Sequence, residues 1–227
     1  ILDGVLSTTQ EVELGHNTIT AYAYDAHHNR TLVRFGEATA GRQPDNVVQT
    51  LYDERDLAFK EIRAPGSSDQ ATAQSDYDGN GNHVRTTQGL EDTLAPRVTT
   101  FAYDGYDRRL SATDPMGNAT RYQYDANGNL VSERVDGELT DLPGGAGNTN
   151  LTQTSYTYDA MNRRVRTDAA FFDTQTHINI GDGLATTVIL YTPNSQVLAA
   201  IDDHNHGRTN NYDTANRLHE ASDAKGN

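Results

Sequence analysis

The 227-residue chain has no cysteine, no tryptophan, two methionines and five phenylalanines. Without cysteine there is no disulfide framework, no thiolate nucleophile and no Cys-based metal set. Basic residues are also scarce. Lys and Arg number 18 against 32 Asp and Glu, a formal net charge of −14. With no basic patch, nucleic acid does not fit as a partner. No Lys/Arg-rich amphipathic stretch reads as a membrane-surface helix. No apolar run approaches the roughly 20 residues of a spanning helix, and no signal peptide is visible. The acidity favours solubility and self-repulsion. Leu, Ile, Val and Phe are few and mean hydropathy is well below zero, which leans toward the composition of disordered chains.

What the chain has instead is tyrosine, 12 copies of it, spaced along the whole length. A disordered tail seldom carries such a series, so an ordered structure with little deep core fits better. Most of these tyrosines precede an aspartate: Tyr24-Asp25, Tyr52-Asp53, Tyr77-Asp78, Tyr103-Asp104, Tyr124-Asp125, Tyr158-Asp159 and Tyr212-Asp213. A degenerate eighth copy stands at Tyr191, followed by Thr192. The steps between anchors are 28, 25, 26, 21, 34, 33 and 21 residues. The short steps give the bare unit of a repeat architecture, and the long ones carry inserted loops.

The fifth residue of each phrase is Asp56, Gly81, Asp107, Gly128, Asn162 or Asn216. These residue types tolerate positive φ. The first copy, "YDAHHNR", reaches an equivalent residue at Asn29 only with one residue inserted. Asp opening a turn and a left-handed residue three places later describe a type I turn closed by a bulge, a common tight hairpin connection. Before the turn, Tyr22/Tyr24, Phe101/Tyr103, Tyr122/Tyr124 and Tyr156/Tyr158 are i, i+2 pairs, which share one face of a strand. After it come Val84, Leu110, Leu130/Val131 and Val165, then a second turn signal such as "DPMGN" at 114–118. Eight units of two strands predict about sixteen strands. No segment shows a helical period. Three stretches interrupt the rhythm: loops at 36–43 and 141–150, and an insert at 171–187 long enough for a strand of its own.

"YDANGNL", "YDERDLAFKEIRAPG" and "YDAMNRRV" resemble the YD repeats of the RHS family, and the resemblance runs from Tyr22 to Asn227. It implies consecutive β-hairpins in a continuous curved or spiralling antiparallel sheet, part of a hollow shell. Bacterial polymorphic toxins, shell proteins of insecticidal toxin complexes and teneurin-like repeats share this pattern. In the toxins the shell encloses a C-terminal toxic domain. Such toxins also carry a terminal self-cleavage motif of the "DPxGL" kind. Here Asp114-Pro115-Met116-Gly117 is followed by Asn118 inside a repeat, and reads as an inter-hairpin turn. The chain starts and stops mid-pattern, so residues 1–227 read as a single array of about eight repeats from a larger protein.

Candidate chemistry is thin. Asp78-Gly-Asn80-Gly-Asn82 and Asp125-Ala-Asn127-Gly-Asn129 imitate the start of an EF-hand loop. Yet His83 and Leu130 stand where that loop needs Gly, and Gly89 and Asp136 where it needs Glu. The repeated aspartates could form a carboxylate array, but a residue recurring once per unit more often caps its own turn. His27-His28 and His204-Asn205-His206 lack a complete ligand set. The "PGGAGN" loop lacks the Lys-Ser/Thr of a phosphate loop. Asn118-Ala-Thr120 and Asn150-Leu-Thr152 match a glycosylation sequon, relevant only in a eukaryotic secretory setting. The tyrosines either stack on sugars or pack the sheet with the hydroxyl reaching a partner.

The sequence therefore predicts an all-β structural module with no catalytic residue, no metal and no cofactor. Its site residues are the structural anchors of the Tyr-Asp series. The expected role is a section of a secreted bacterial shell around a toxin or other cargo. The alternative is an extracellular adhesion or carbohydrate-binding module. Expected partners are neighbouring repeats or enclosed cargo, with cell-surface glycans under the alternative.

Overall fold

The computed structural model describes residues 6–13, 16–92, 94–139 and 147–223. Its contacts divide the chain into two units, residues 1–108 and 109–227. Both are all-β, built from strands that pair antiparallel with their neighbours in sequence.

The first unit runs β1 (Ser7–Glu13), β2 (His16–Tyr24), β3 (Arg30–Arg34), β4 (Val47–Tyr52), β5 (Ala58–Arg63), β6 (Ala71–Tyr77), β7 (His83–Gln88) and β8 (Arg97–Tyr103). Each strand from β1 to β7 pairs with the next. The second runs β9 (Arg109–Thr113), β10 (Ala119–Tyr124), β11 (Leu130–Gly137), β12 (Thr149–Tyr158), β13 (Arg164–Phe172), β14 (Asn179–Tyr191), β15 (Val197–Asp202), β16 (Gly207–Tyr212) and β17 (Leu218–Ser222). Again each pairs with its successor. Among the described residues the count exceeds the expected sixteen by one, because β1 pairs with β2 ahead of the first Tyr-Asp copy.

The bulge is visible in the registers. In seven hairpins the pairing shifts by one residue immediately before the phrase tyrosine: Tyr24, Tyr52, Tyr77, Tyr124, Tyr158, Tyr191 and Tyr212. Four residues after the phrase tyrosine, φ is positive at Asp56, Gly81, Asp107, Gly128, Asn162, Ser195 and Asn216. The first copy corrects the sequence reading. His28, not Asn29, takes the left-handed position, with φ 68, and no residue is inserted. Histidine shares with Asn and Asp an enrichment at positive φ.

The loops differ from expectation in two places. The 36–43 stretch contains one helical turn, α1 (Gly36–Thr39). Four residues are too short to show a period. Gly36 lies so close to β2 that a Cβ there would fall 1.9 Å from Thr18 Cγ2. The 171–187 insert holds no separate strand. It lengthens β13 to Phe172 and starts β14 at Asn179, joined by a turn that Asp173 opens. Residues 141–146 of the third loop lie outside the described residues, and its end opens β12.

The structure is thin. Among the described residues only Ala38, Val47, Ala119 and Ala199 are buried apolar side chains, and no large side chain is fully buried. Burial alternates along strands such as β10, where Tyr122 and Tyr124 are half-buried between exposed Arg121 and Gln123. Stability therefore comes from neighbour-to-neighbour contacts, as in other repeat architectures.

Turn geometry sets a first prediction. Gly128 has φ 88. Gly128→Val should cost about 2 kcal/mol or more, because a β-branched residue resists this region. Asn127→Ala should cost about 1 kcal/mol or less, through one side-chain hydrogen bond. Thermal melting of both variants compares them, and equal losses would contradict the assignment.

Candidate functional site

The repeated residues converge on two features, a turn clamp and a tyrosine seam. In the clamp, one carboxylate oxygen of the opening aspartate accepts two backbone N–H groups, from the second and fourth residues after it. Asp53 Oδ1 takes Arg55 N and Leu57 N at 2.9 Å each. Asp125 Oδ1 takes Asn127 N at 2.9 Å and Asn129 N at 2.8 Å. The same pair of bonds forms at Asp25, Asp78, Asp104, Asp159 and Asp213. At the degenerate copy Thr192 Oγ1 accepts Gln196 N at 3.2 Å.

The other carboxylate oxygen takes a side chain. Where the fourth residue is Asn, its amide donates: Asn29, Asn82 and Asn129 reach Asp25, Asp78 and Asp125 at 3.1, 3.1 and 2.9 Å. Where it is Arg, the guanidinium does so: Arg108, Arg163 and Arg217 reach Asp104, Asp159 and Asp213 at 2.7, 2.8 and 2.8 Å. The Asn/Arg preference at this place was readable in the sequence, as "NGNL" beside "NRRV", but only once the aspartate's second oxygen is known to need a donor. The opposite-edge turn at Asp114 uses the same clamp, with Met116 N, Asn118 N and Asn118 Nδ2 all at 2.9 Å.

Side chains of one turn also reach the next. Asn29 Nδ2 donates to Asp56 Oδ1 at 2.7 Å, and His27 Nδ1 lies 2.9 Å from the same oxygen. Asn80 and Asn82 reach Asp107 Oδ1 at 2.9 and 2.6 Å. Asn127 and Asn129 reach Asn162 Oδ1 at 3.1 and 3.0 Å. Arg163 Nη1 reaches Ser195 Oγ at 3.0 Å, and Asn194 reaches Asn216 Oδ1 at 2.8 Å. The left-handed residue thus does a second job as acceptor. Where it is Gly81, Arg55 Nη1 donates to the Asp78 carbonyl instead, at 2.8 Å.

The seam belongs to the tyrosines. Tyr52, Tyr77, Tyr103, Tyr124, Tyr158, Tyr191 and Tyr212 donate their hydroxyls to the carbonyls of Arg30, Ala58, His83, Arg109, Leu130, Arg164 and Val197. Each acceptor lies five residues after the turn-opening residue of the preceding hairpin. The distances run from 2.9 Å at Tyr158 to 3.2 Å at Tyr52. Phenylalanine would pack as well but could not make this bond. Arg30 and Arg164 lie over the rings of Tyr22 and Tyr156 at 5.5 and 5.4 Å.

The carboxylates are tuned toward the ionised form. All seven Tyr-Asp aspartates are held below the ordinary carboxylate value. At Asp125 the Asn129 amide is the main cause, and at Asp104 the Arg108 guanidinium. At Asp125 and Asp104 a smaller upward push from burial opposes this, whereas at Asp25 burial is the largest single influence and is outweighed only by the Asn29 and His27 bonds together. A group fixed as an anion and saturated by N–H donors is poorly suited to shuttling protons near neutral pH. The histidines behave as loop residues with carboxylate neighbours. The His204 and His206 rings stack 6.1 Å apart, and His204 Nδ1 lies 2.7 Å from Asp203 Oδ1. Asp202, Asp203 and His204 bring donor atoms within 4.8 Å of one another, all exposed. Asp202 Oδ1 is already taken by the N–H groups of His204 and His206.

Residues 103–140 match the family model described as RHS Repeat. That segment holds the Asp104 and Asp125 clamps and the Asp114 turn between them. No curated protein matches the chain. Among solved structures it is similar to TcdB2-TccC3-TEV and to TcdB2-TccC3 without its hypervariable C-terminal region, at 14% identity each and TM-scores of 0.31 and 0.32. A Photorhabdus luminescens Tc holotoxin pore is similar at 13% identity and a TM-score of 0.32. In all three, 90% of this chain is covered but only 14% of the other.

Two predictions follow from the site. The first concerns acid. A carboxyl whose folded pKa is lowered contributes stability above its unfolded pKa and loses it as pH falls through the folded one. Stability should therefore hold from neutrality to about pH 5 and fall progressively below about pH 4, the ordinary aspartate range. Urea midpoints across pH 2–7 measure it, and a flat profile would contradict the clamp. The second concerns the seam. Tyr158→Phe should cost about 1 kcal/mol, the net worth of one hydrogen bond. Tyr156→Phe, whose hydroxyl makes no hydrogen bond among the described residues, should be nearly neutral by the same melt.

Proposed function

We propose that this chain, a structural module carrying an RHS repeat, forms a section of a secreted bacterial shell that walls off a toxin or other polypeptide cargo. The observation that carries the reading is the tyrosine seam. It joins each hairpin to the one before it by a bond that serves no purpose except to extend the sheet. A module built this way produces surface, not a cavity. Its recurrent carboxylates are consumed by their own turns, which supports a non-enzymatic role. The Tyr-Asp anchors are accordingly structural, and the array of about eight repeats belongs to a longer polypeptide. Secretion and the enclosed cargo rest on the family resemblance.

The test uses the whole polypeptide that contains this chain. Under limited proteolysis, a segment outside the repeats should remain uncut while the repeats are folded. The double substitution Tyr158→Ala with Asp159→Ala should speed its cleavage about tenfold or more, through local opening. Equal cleavage in both proteins would overturn the wall reading. Dose-dependent binding of the chain to a glycan array would replace it with the adhesive one.

A further inference from the structure

Away from the clamps and the seam, one carboxylate of the second unit is shared by two guanidiniums. Asp136 on β11 is 5% exposed. One of its oxygens takes Arg134 Nε at 2.7 Å, and the other takes Nη1 of Arg121 from β10. Among the described residues every other arginine ion pair matches one guanidinium to one carboxylate. Arg121 and Arg134 also stand directly opposite each other across β10 and β11, where like charges repel. Two cations on one anion leave a local excess of one positive charge, in a chain whose net charge is −14. Gln153 stands opposite Arg134 from β12, and Gln123 stands opposite Ser132. These six residues line a cleft of about 370 Å³. Among the described residues the side chains of Gln123, Ser132 and Gln153 have no hydrogen-bond partner, and neither guanidinium has one besides Asp136. The Arg121 and Arg134 side chains are 58% and 46% exposed, so both present unused N–H groups to the cleft.

We propose that this cleft binds a carboxylate side chain, Glu or Asp, presented by an acidic segment of another polypeptide. Its one carboxylate is already engaged on both oxygens, and what remains is rich in donors: guanidinium N–H, amide N–H and a hydroxyl. The cleft therefore lacks an acceptor, and its one surplus positive charge lacks a counterion. A single carboxylate supplies both and matches the planar guanidinium fork. A phosphate group, at about −1.5 to −2, overshoots that charge. Small-molecule sites are concave and bury most of their ligand. This cleft instead spreads over three strands, about 10 Å, on a sheet face where Arg121, Gln123 and Arg134 are exposed. It takes a side chain offered from outside and does not enclose a whole molecule. Asp136 acts as a positioning residue, holding each guanidinium by one side. This reading goes beyond the wall proposal, since the cleft can take a carboxylate whether or not anything is enclosed.

The experiment titrates a blocked Gly-Glu-Gly-Glu-Gly peptide into the full chain labelled with nitrogen-15, and follows the arginine Nε–H and glutamine amide signals by NMR. Saturable shifts are expected at Arg121, Arg134, Gln123 and Gln153, and none when Gln replaces Glu in the peptide. Arg121→Gln should weaken binding about tenfold or more, the worth of a charge-assisted hydrogen bond. Its melting temperature should change little, because Arg134 and Asp136 remain a balanced pair. Gln153→Ala leaves the ion pairs intact and should weaken binding about fivefold. Absence of saturable shifts overturns the proposal, and so does equal binding of the Gln peptide. Tighter binding of inorganic phosphate or of glucuronate than of the Glu peptide also overturns it, since the ligand is then a phosphate or a sugar acid. A large drop in the melting temperature of Arg121→Gln with unchanged peptide binding marks the three charges as purely structural, and overturns it too.

Discussion

The structure depends on one oxygen atom per hairpin. Oδ1 of the turn-opening aspartate binds two backbone N–H groups that the turn itself leaves without strand partners. An unpaired half-buried N–H is costly, so these bonds favour the closed turn. Once it closes, the residue three places on must adopt positive φ, the bulge forms, and the strand leaves in a defined register. The second oxygen then fixes Asn or Arg in place, and that side chain reaches the neighbouring turn. Local geometry thus becomes inter-hairpin attachment through two atoms of one carboxylate.

The tyrosine seam works on the same scale with different chemistry. Its ring supplies apolar contact on a sheet where no large side chain among the described residues is fully buried, and its hydroxyl supplies direction. A half-buried ring alone would tolerate sliding between neighbours. The hydroxyl on one specified carbonyl resists it, because a slip of one residue would move every side chain to the other face. This explains a composition rich in tyrosine and poor in tryptophan, phenylalanine and leucine. A two-faced sheet of paired neighbours has little interior to fill, but it has many registers to hold.

Much of this was legible in the sequence because the signals are local. Asp at the turn start and Asp107, Gly128 or Asn162 three places later depend only on backbone sterics, so the hairpins could be placed. His28 was misplaced because histidine is a less familiar occupant of positive φ than the Asn29 beside it. The helical turn at Gly36–Thr39 was invisible, since four residues are too short to show a period. The tyrosine hydroxyls, and the Asn29-to-Asp56 and Asn129-to-Asn162 links, join residues 15 to 33 places apart. Their spacing is altered by every inserted loop, so no fixed interval in the sequence announces them. The preference for Asn or Arg four residues after aspartate was present in the letters but meant nothing without the carboxylate's second oxygen.

The direction of the seam has a consequence for how such a chain is made. Each of the seven seam tyrosines closes onto a carbonyl that precedes it in sequence. The acceptor hairpin is therefore complete before its donor arrives. Hairpins form in about microseconds, whereas ribosomes deliver about 5–20 residues per second. Every repeat has ample time to settle on its predecessor during synthesis. The array can grow from its N-terminal side as a ratchet, one hairpin at a time, with only the newest edge unfinished.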